Sequence, residues 1–142
     1  IALESFKAMP KLQPYFKNAK GYAVFPTVGK AGIGIGGARG KGEVFQDGKV
    51  VGSTTLTQVS IGFQLGGQAF SQIIFFKGKR DLNRFIQGNF EFGASASAAL
   101  INSGAAVETS YSNGIAVLTV SKGGLMYEAS IGGQKFSYEP YN

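Results

Sequence analysis

The sequence predicts a single α+β domain spanning 1–142, rich in β structure. Its antiparallel, glycine-rich, twisted strands should form a sandwich or partly closed barrel, with short N-terminal helices and one short helix near residues 80–88. Three observations carry this. Apolar residues among the first twenty positions recur at helical spacing, whereas from Gly21 onward the apolar period drops to two. Asp47-Gly48, Asn113-Gly114, Lys122-Gly123-Gly124 and Gly132-Gly133 then punctuate the remainder as turns.

Taken in order, Ala2, Phe6 and Met9 form one helical stripe, and Leu12, Tyr15, Phe16 and Ala19 a second. Pro10 and Pro14 divide them into two short helices, because an interior proline removes a hydrogen bond and clashes with the preceding turn. Gly21 is read as the C-terminal stop. Tyr22 to Phe25 is a short buried strand expected to end at Pro26, and Ala31 to Gly37 sets Ile33 and Ile35 between glycines. Gly42 to Gln46 and Lys49 to Thr57 make a hairpin, with Asp-Gly favouring a tight primed turn. Val59 to Leu65 alternates, Gly66-Gly67 breaks it, and Phe70 to Phe76 is a nearly continuous apolar strand expected at the centre of the sheet. Asp81 to Gln87 is a short helix closed by Gly88. Phe90 to Ala98 alternates as one strand, and further strands are expected near 105–111, 115–121, 125–131 and 134–138.

Hydrophobic residues make up 44% of the chain and charged ones 15%, against about a quarter charged in ordinary globular domains. Much of the surface must therefore be Ser, Thr, Gln, Asn and Gly, a balance typical of β-rich proteins outside the cytoplasm. No Cys is present, so there is neither a disulfide framework nor thiolate chemistry. No His is present either, which removes the commonest metal ligand and the side chain that titrates near neutrality. A formal charge of +6 and a pI near 9.6 favour an anionic partner. No apolar run approaches the roughly 18 residues of a membrane-crossing helix. The chain starts at Ile1 without Met, as expected of an excised domain or mature fragment, with any signal peptide or lipid anchor lying outside this sequence.

Gly32-Ile-Gly34-Ile-Gly36-Gly37 satisfies G-x-G-x-x-G on paper. A dinucleotide fingerprint needs a helix straight after it, and Arg39 to Phe45 continues as strand, so no cofactor is expected. Those glycines should instead make a strand face without side chains, over which a helix, another strand or a head group can lie. Nucleophilic catalysis would have to run on Lys or a carboxylate, since no His is available. Ser121-Lys122 reads as a solvated turn, the eight acids are dispersed, with Glu91 and Glu108 as the pair able to meet, and no acidic cluster suits a metal. The expectation is a protein that is not an enzyme.

Basic residues concentrate in two segments. Residues 1–49 hold eight Lys/Arg against three acids, and Lys77 to Arg84 holds four against one. Arg39 and Lys41 stand out as anion ligands, because Arg grips phosphate bidentately and flanking glycines would let amides approach. Nucleic acid is not expected, since the Phe residues occupy core-like positions rather than a stacking groove. A membrane surface fits better: the N-terminal segment is amphipathic, with Lys7, Lys11, Lys17 and Lys20 beside Phe6, Met9, Tyr15 and Phe16. That stripe is equally what a helix packed on its own sheet would show. Alternating aromatic strands also fit a small outer-membrane barrel, ranked last because the spans are short.

At Ala19-Lys20-Gly21-Tyr22-Ala23-Val24-Phe25-Pro26, followed by Gly29-Lys30-Ala31-Gly32, the sequence resembles the SYLF domain family. The likeness continues through Gly36 to Gly42, Gly62 to Gln68, Ile73 to Phe76 and Ser121 to Leu125. The resemblance implies a lipid-binding module without catalysis, with phosphoinositides and other anionic phospholipids as ligands and actin as partner in eukaryotic relatives. It attributes lipid binding to the basic N-terminal region, which by position means Lys7, Lys11, Lys17, Lys20 and Lys30. Arg39 and Lys41 join that set from the residue reading. The closer likeness is to bacterial members, which are exported and often lipid-anchored, so a periplasmic or envelope location follows. The expected partner is an anionic phospholipid membrane. The alternative is a structural or protein-interaction domain of the envelope whose basic surface is incidental.

Overall fold

The computed structural model describes residues 2–30, 37–58, 69–93, 96–100, 113–121 and 129–141. The strands expected at 59–65 and 105–111, most of those at 31–37 and 125–131, the turns at 66–67 and 122–124, and Glu108 lie outside the described residues. The described elements are α1 (Ala2–Lys7), a 3-10 turn (Pro10–Leu12), α2 (Gln13–Asn18), β1 (Gly21–Lys30), β2 (Ala38–Gln46), β3 (Lys49–Gln58) and β4 (Phe70–Phe76). Then follow α3 (Lys79–Ile86), β5 (Phe90–Glu91), β6 (Ser97–Leu100), β7 (Ile115–Ser121), β8 (Ala129–Ser130) and β9 (Gln134–Pro140). The strands join in the order β5-β9-β3-β2-β1-β4-β7-β6-β8. Pairing is antiparallel except between β6 and β7. The sheet curls into a half-barrel, the partly closed form that the sequence allows.

The first twenty residues fold as their prolines dictate, with Pro10 and Pro14 each in the first turn of a new helical piece. Ala19 turns extended (φ −73°, ψ 141°), so α2 stops before Gly21, which already belongs to β1. The Asp47-Gly48 turn has positive φ at both residues (53° and 78°), the geometry that lets the β2–β3 hairpin follow the strand twist. Phe70–Phe76 lies between β1 and β7 and is buried on both faces.

Two elements differ from expectation. Pro26 does not end β1. The strand gains one residue against both neighbours, because Val24 to Gly29 faces Glu43 to Arg39 and Phe25 to Val28 faces Gln72 to Phe70. A proline is tolerated in that bulge because the ladder is interrupted there, and its carbonyl accepts the Ser71 hydroxyl (2.7 Å). Phe90 to Ala98 is not one strand either. Phe90–Glu91 pairs with β9, whereas Ser97–Leu100 joins β7 toward the far edge.

Alternation sorts the side chains onto two faces. The concave face carries Phe25, Val28, Ile74, Phe76 and Phe136, and α3 closes over it with Leu82 and Phe85. Because the sheet curls, Phe136 of β9 reaches Phe25 (centroids 5.6 Å) and Phe85 (5.2 Å). Gln72 and Gln134 exchange amide hydrogen bonds across the same interior (2.9 and 3.1 Å), and Gln134 also donates to Gln58 (3.2 Å). The convex face over β1, β4 and β7 carries Tyr22, Val24, Ile73, Phe75 and Leu118, and the N-terminal helices cover it.

A methyl group at Gly42 would lie 2.7 Å from Phe25 Cδ2 and collide with the Val24 carbonyl, whereas one at Gly93 would meet open space. Gly42→Ala should therefore cost about 1–3 kcal/mol in denaturant unfolding, and Gly93→Ala less than about 0.5 kcal/mol.

Candidate functional site

The N-terminal layer is anchored through its apolar stripe. Phe6 and Leu12 are 2% and 1% exposed. Tyr15 stacks on Phe75 (5.2 Å), and Phe16 meets both Tyr22 (5.1 Å) and Phe75 (5.0 Å) edge-on. The stripe that could serve either a membrane or the chain's own sheet is packed on the sheet. Burial raises the pKa of Tyr15 and Tyr22 above 10.0. What the layer presents outward is charge: Lys7 at the end of α1, Lys17 in the last turn of α2 and Lys20 before β1 are exposed. Lys11 lies in the 3-10 turn and Lys30 ends β1, their side chains being outside the described set.

Of the seven expected residues, Lys7, Lys11 and Lys17 lie in the N-terminal layer, and the other four divide between two ends of the sheet. Gly21 pairs with Gln46 at one end of β1, and Lys30 pairs with Ala38 at the other. A strand of that length separates Lys20 from Lys30 by roughly 30 Å. Arg39 and Lys41 therefore share the Lys30 end, exposed on the outer face of β2. Gly40 and Gly42 between them point to the concave face, where Val28 and Phe25 fill the space a side chain would need. The glycine face here is occupied by the protein's own core. Register then brings in a residue that sequence reasoning missed, since Arg39, Thr57 and Lys135 lie in one cross-strand row.

At the Lys20 end the register assembles a second group. Lys49, Gln46, Gly21, Phe76 and Ile115 form one row across β3, β2, β1, β4 and β7. Lys20 N–H donates to the Phe76 carbonyl (2.9 Å), and Lys77 N–H to the Gly114 carbonyl (2.8 Å). The segment Lys77 to Arg84, remote in sequence, is thus placed beside Lys20, with Lys49 three strands further along the same row. Asp81 fixes the start of α3 by accepting from Gly78 N–H (3.1 Å), and Arg84 lies 4.0 Å from it and donates to the Asn113 carbonyl (3.5 Å). The sequence signal was the basic run itself; its neighbours depend on strand pairing.

Beside α3 a cleft of about 1090 Å³ is lined by Arg80, Arg84, Glu91, Phe90, Phe92 and Ile131, among others. Its charges are mixed, and Arg84 sits 5.8 Å from the Phe90 ring centroid. The outer face of β2, β3 and β9 exposes or half-exposes Arg39, Lys41, Glu43, Thr55, Lys135 and Ser137. A membrane-spanning barrel needs an apolar band on that side, so the surface polarity is the inverse of one. No helix among the described residues is long and apolar enough to cross a membrane.

The described half-barrel thus carries its cations on the rim and outer face. A sequence model of the Ysc84 family, described as Las17-binding protein actin regulator, matches residues 57–140. The chain belongs to this family, the SYLF family whose motifs it carries. It is 26% identical over 140 residues to Beta cell expansion factor A of Aeromonas veronii. The match covers 92% of this chain and 50% of that relative, so the chain spans about half of the relative's length. Family membership supports a binding role.

The raised phenols of Tyr15 and Tyr22 make the packing of the N-terminal layer sensitive to alkaline pH. Their folded pKa values lie above 10.0, so their contribution to stability is intact below that pH and is lost as pH rises through the folded values. Thermal melts from about pH 8 to 11.5 should show stability falling above roughly pH 10, and Tyr22→Phe should make that fall shallower.

Proposed function

We propose that this domain is a non-enzymatic module that binds anionic phospholipids, with phosphoinositide-like head groups included, at a membrane surface. The basic N-terminal region supplies the attraction. The observation that carries this reading is the division of labour in that region. Phe6 and Leu12 are buried on the sheet, while Lys7, Lys17 and Lys20 are exposed and in no ion pair with a described carboxylate. Charge without inserted apolar surface gives attraction of about 1 kcal/mol per Lys or Arg close to an anionic leaflet, decaying within a Debye length. Lys11 adds to the same field, and Lys30, Arg39 and Lys41 form a second basic area at the other end of β1, beyond a Debye length from Lys20. We propose the periplasm or cell envelope as its location, on the likeness to exported bacterial members, with any lipid anchor supplied by a segment outside this chain.

A second reading is protein binding. It draws on the open outer face of β2, β3 and β9, and on a family description that names a Las17-binding actin regulator. A protein partner captured by a domain that ignores every vesicle would favour it.

Sedimentation with vesicles separates the two. The domain should bind phosphatidylcholine vesicles containing phosphatidylserine, ignore pure phosphatidylcholine, and lose affinity as salt rises. Lys17→Ala, Lys20→Ala and Lys30→Ala combined should weaken binding by roughly tenfold or more. Equal binding to neutral and anionic vesicles, or an unchanged triple variant, contradicts the electrostatic reading.

A further inference from the structure

The row Lys49–Gln46–Gly21–Phe76–Ile115 marks one end of the half-barrel, and the segments emerging beyond it carry a concentration of positive charge. Lys20, Lys49, Lys77, Lys79 and Arg80 are all exposed there. The described carboxylates nearby are Asp47, in the hairpin turn, Asp81, already engaged by Gly78 N–H and lying 4.0 Å from Arg84, and at the β9 side Glu139 and Glu43, the latter accepting from the Tyr141 hydroxyl (3.5 Å). The same end holds the exposed large hydrophobic residues of the described chain, Val50 at 39% and Tyr141 at 52%. Val50 follows the turn and pairs with Phe45, while Tyr141 N–H donates to the Val51 carbonyl (2.9 Å). An exposed aliphatic side chain beside Lys49 and a tyrosine on the same lysine-bearing rim match the composition that seats at a bilayer interface, with rings at head-group level and ammonium groups on phosphates.

From this juxtaposition we propose that the turn end of the half-barrel is the membrane-docking surface, with an anionic bilayer as its occupant. Lys20, Lys49, Lys79 and Arg80 meet head groups while Val50 and Tyr141 enter the interfacial layer. The domain stands end-on, and its N-terminal helices remain on the sheet. The inference rests on the anionic-phospholipid reading above and adds residues and an orientation to it. Lys20 is the shared member, and Lys49, Lys79 and Arg80 come from strands and a helix that the N-terminal region does not include.

The chain contains no Trp, so a single introduced indole reports one position. Val50→Trp and Tyr141→Trp should shift to the blue on phosphatidylserine-containing vesicles and be quenched by brominated acyl chains. Thr55→Trp, midway along β3 on the outer face, should do neither. Lys49→Gln, Lys79→Gln and Arg80→Gln combined should weaken binding by roughly a hundredfold, with circular dichroism confirming the fold. Unshifted emission at 50 and 141, or a charge variant that binds like the parent, overturns the docking surface while parent binding keeps the lipid reading. A parent protein that binds no vesicle overturns both.

Discussion

At Pro26–Thr27 β1 carries one residue more than either neighbour, and the sheet bends there hard enough that β2 must present glycine to it. Phe25 and Val28 fold inward over Gly42 and Gly40, occupying the volume their side chains would need. That curl lets β9 reach β4 across four intervening steps of the sheet. The reciprocal Gln72–Gln134 hydrogen bonds and the Phe25–Phe136 contact exist because of it. Paired amides inside an apolar interior satisfy one another, and replacing either alone would leave a buried amide without its partner. Among the described residues the interior between β1, β4 and β9 is thereby filled by the protein's own side chains, and the open space lies in the cleft beside α3.

A strand buried on both faces needs two covers. The concave side of β4 receives α3, and the convex side receives the N-terminal helices through Phe6, Leu12, Tyr15 and Phe16. Once those rings are committed, the helices offer a partner mainly their polar side, where Lys7 and Lys17 stand beside Glu4, Ser5, Gln13 and Asn18. The same logic applies at the turn end, where main-chain bonds from Lys20 and Lys77 fix the backbone while side chains project. Fold and surface charge are linked through this allocation. Apolar positions hold the layers together, and cations remain where the chain leaves them.

What could be read locally in the sequence came through. Asp47-Gly48 demanded positive φ, Phe70–Phe76 demanded a central place, and the prolines at 10 and 14 demanded a break. Pro26 was misjudged because its rule concerns one strand, while the bulge that accommodates it is a property of three. Phe90 to Ala98 keeps a regular alternation, yet its two pieces pair at different places in the sheet, a long-range choice that alternation does not encode. Gln58, Gln72 and Gln134 occupy inward positions in alternation but are polar, so nothing marked them as interior. For the site, the basic runs were visible. Which cations share an end or a row was not, since Lys20 comes beside Lys77, and Arg39 enters the row of Thr57 and Lys135, only through strand register.

The account turns on the N-terminal helices being part of the folded core while charge at the sheet's turn end makes contact. Hydrogen–deuterium exchange on the vesicle-bound domain tests this most directly. Protection should rise at residues 47–50 and 77–80 and stay unchanged across Phe6 to Phe16 and Tyr22 to Phe25. Faster exchange in those two segments on binding would mean that the helices leave the sheet to enter the bilayer, and would contradict the account.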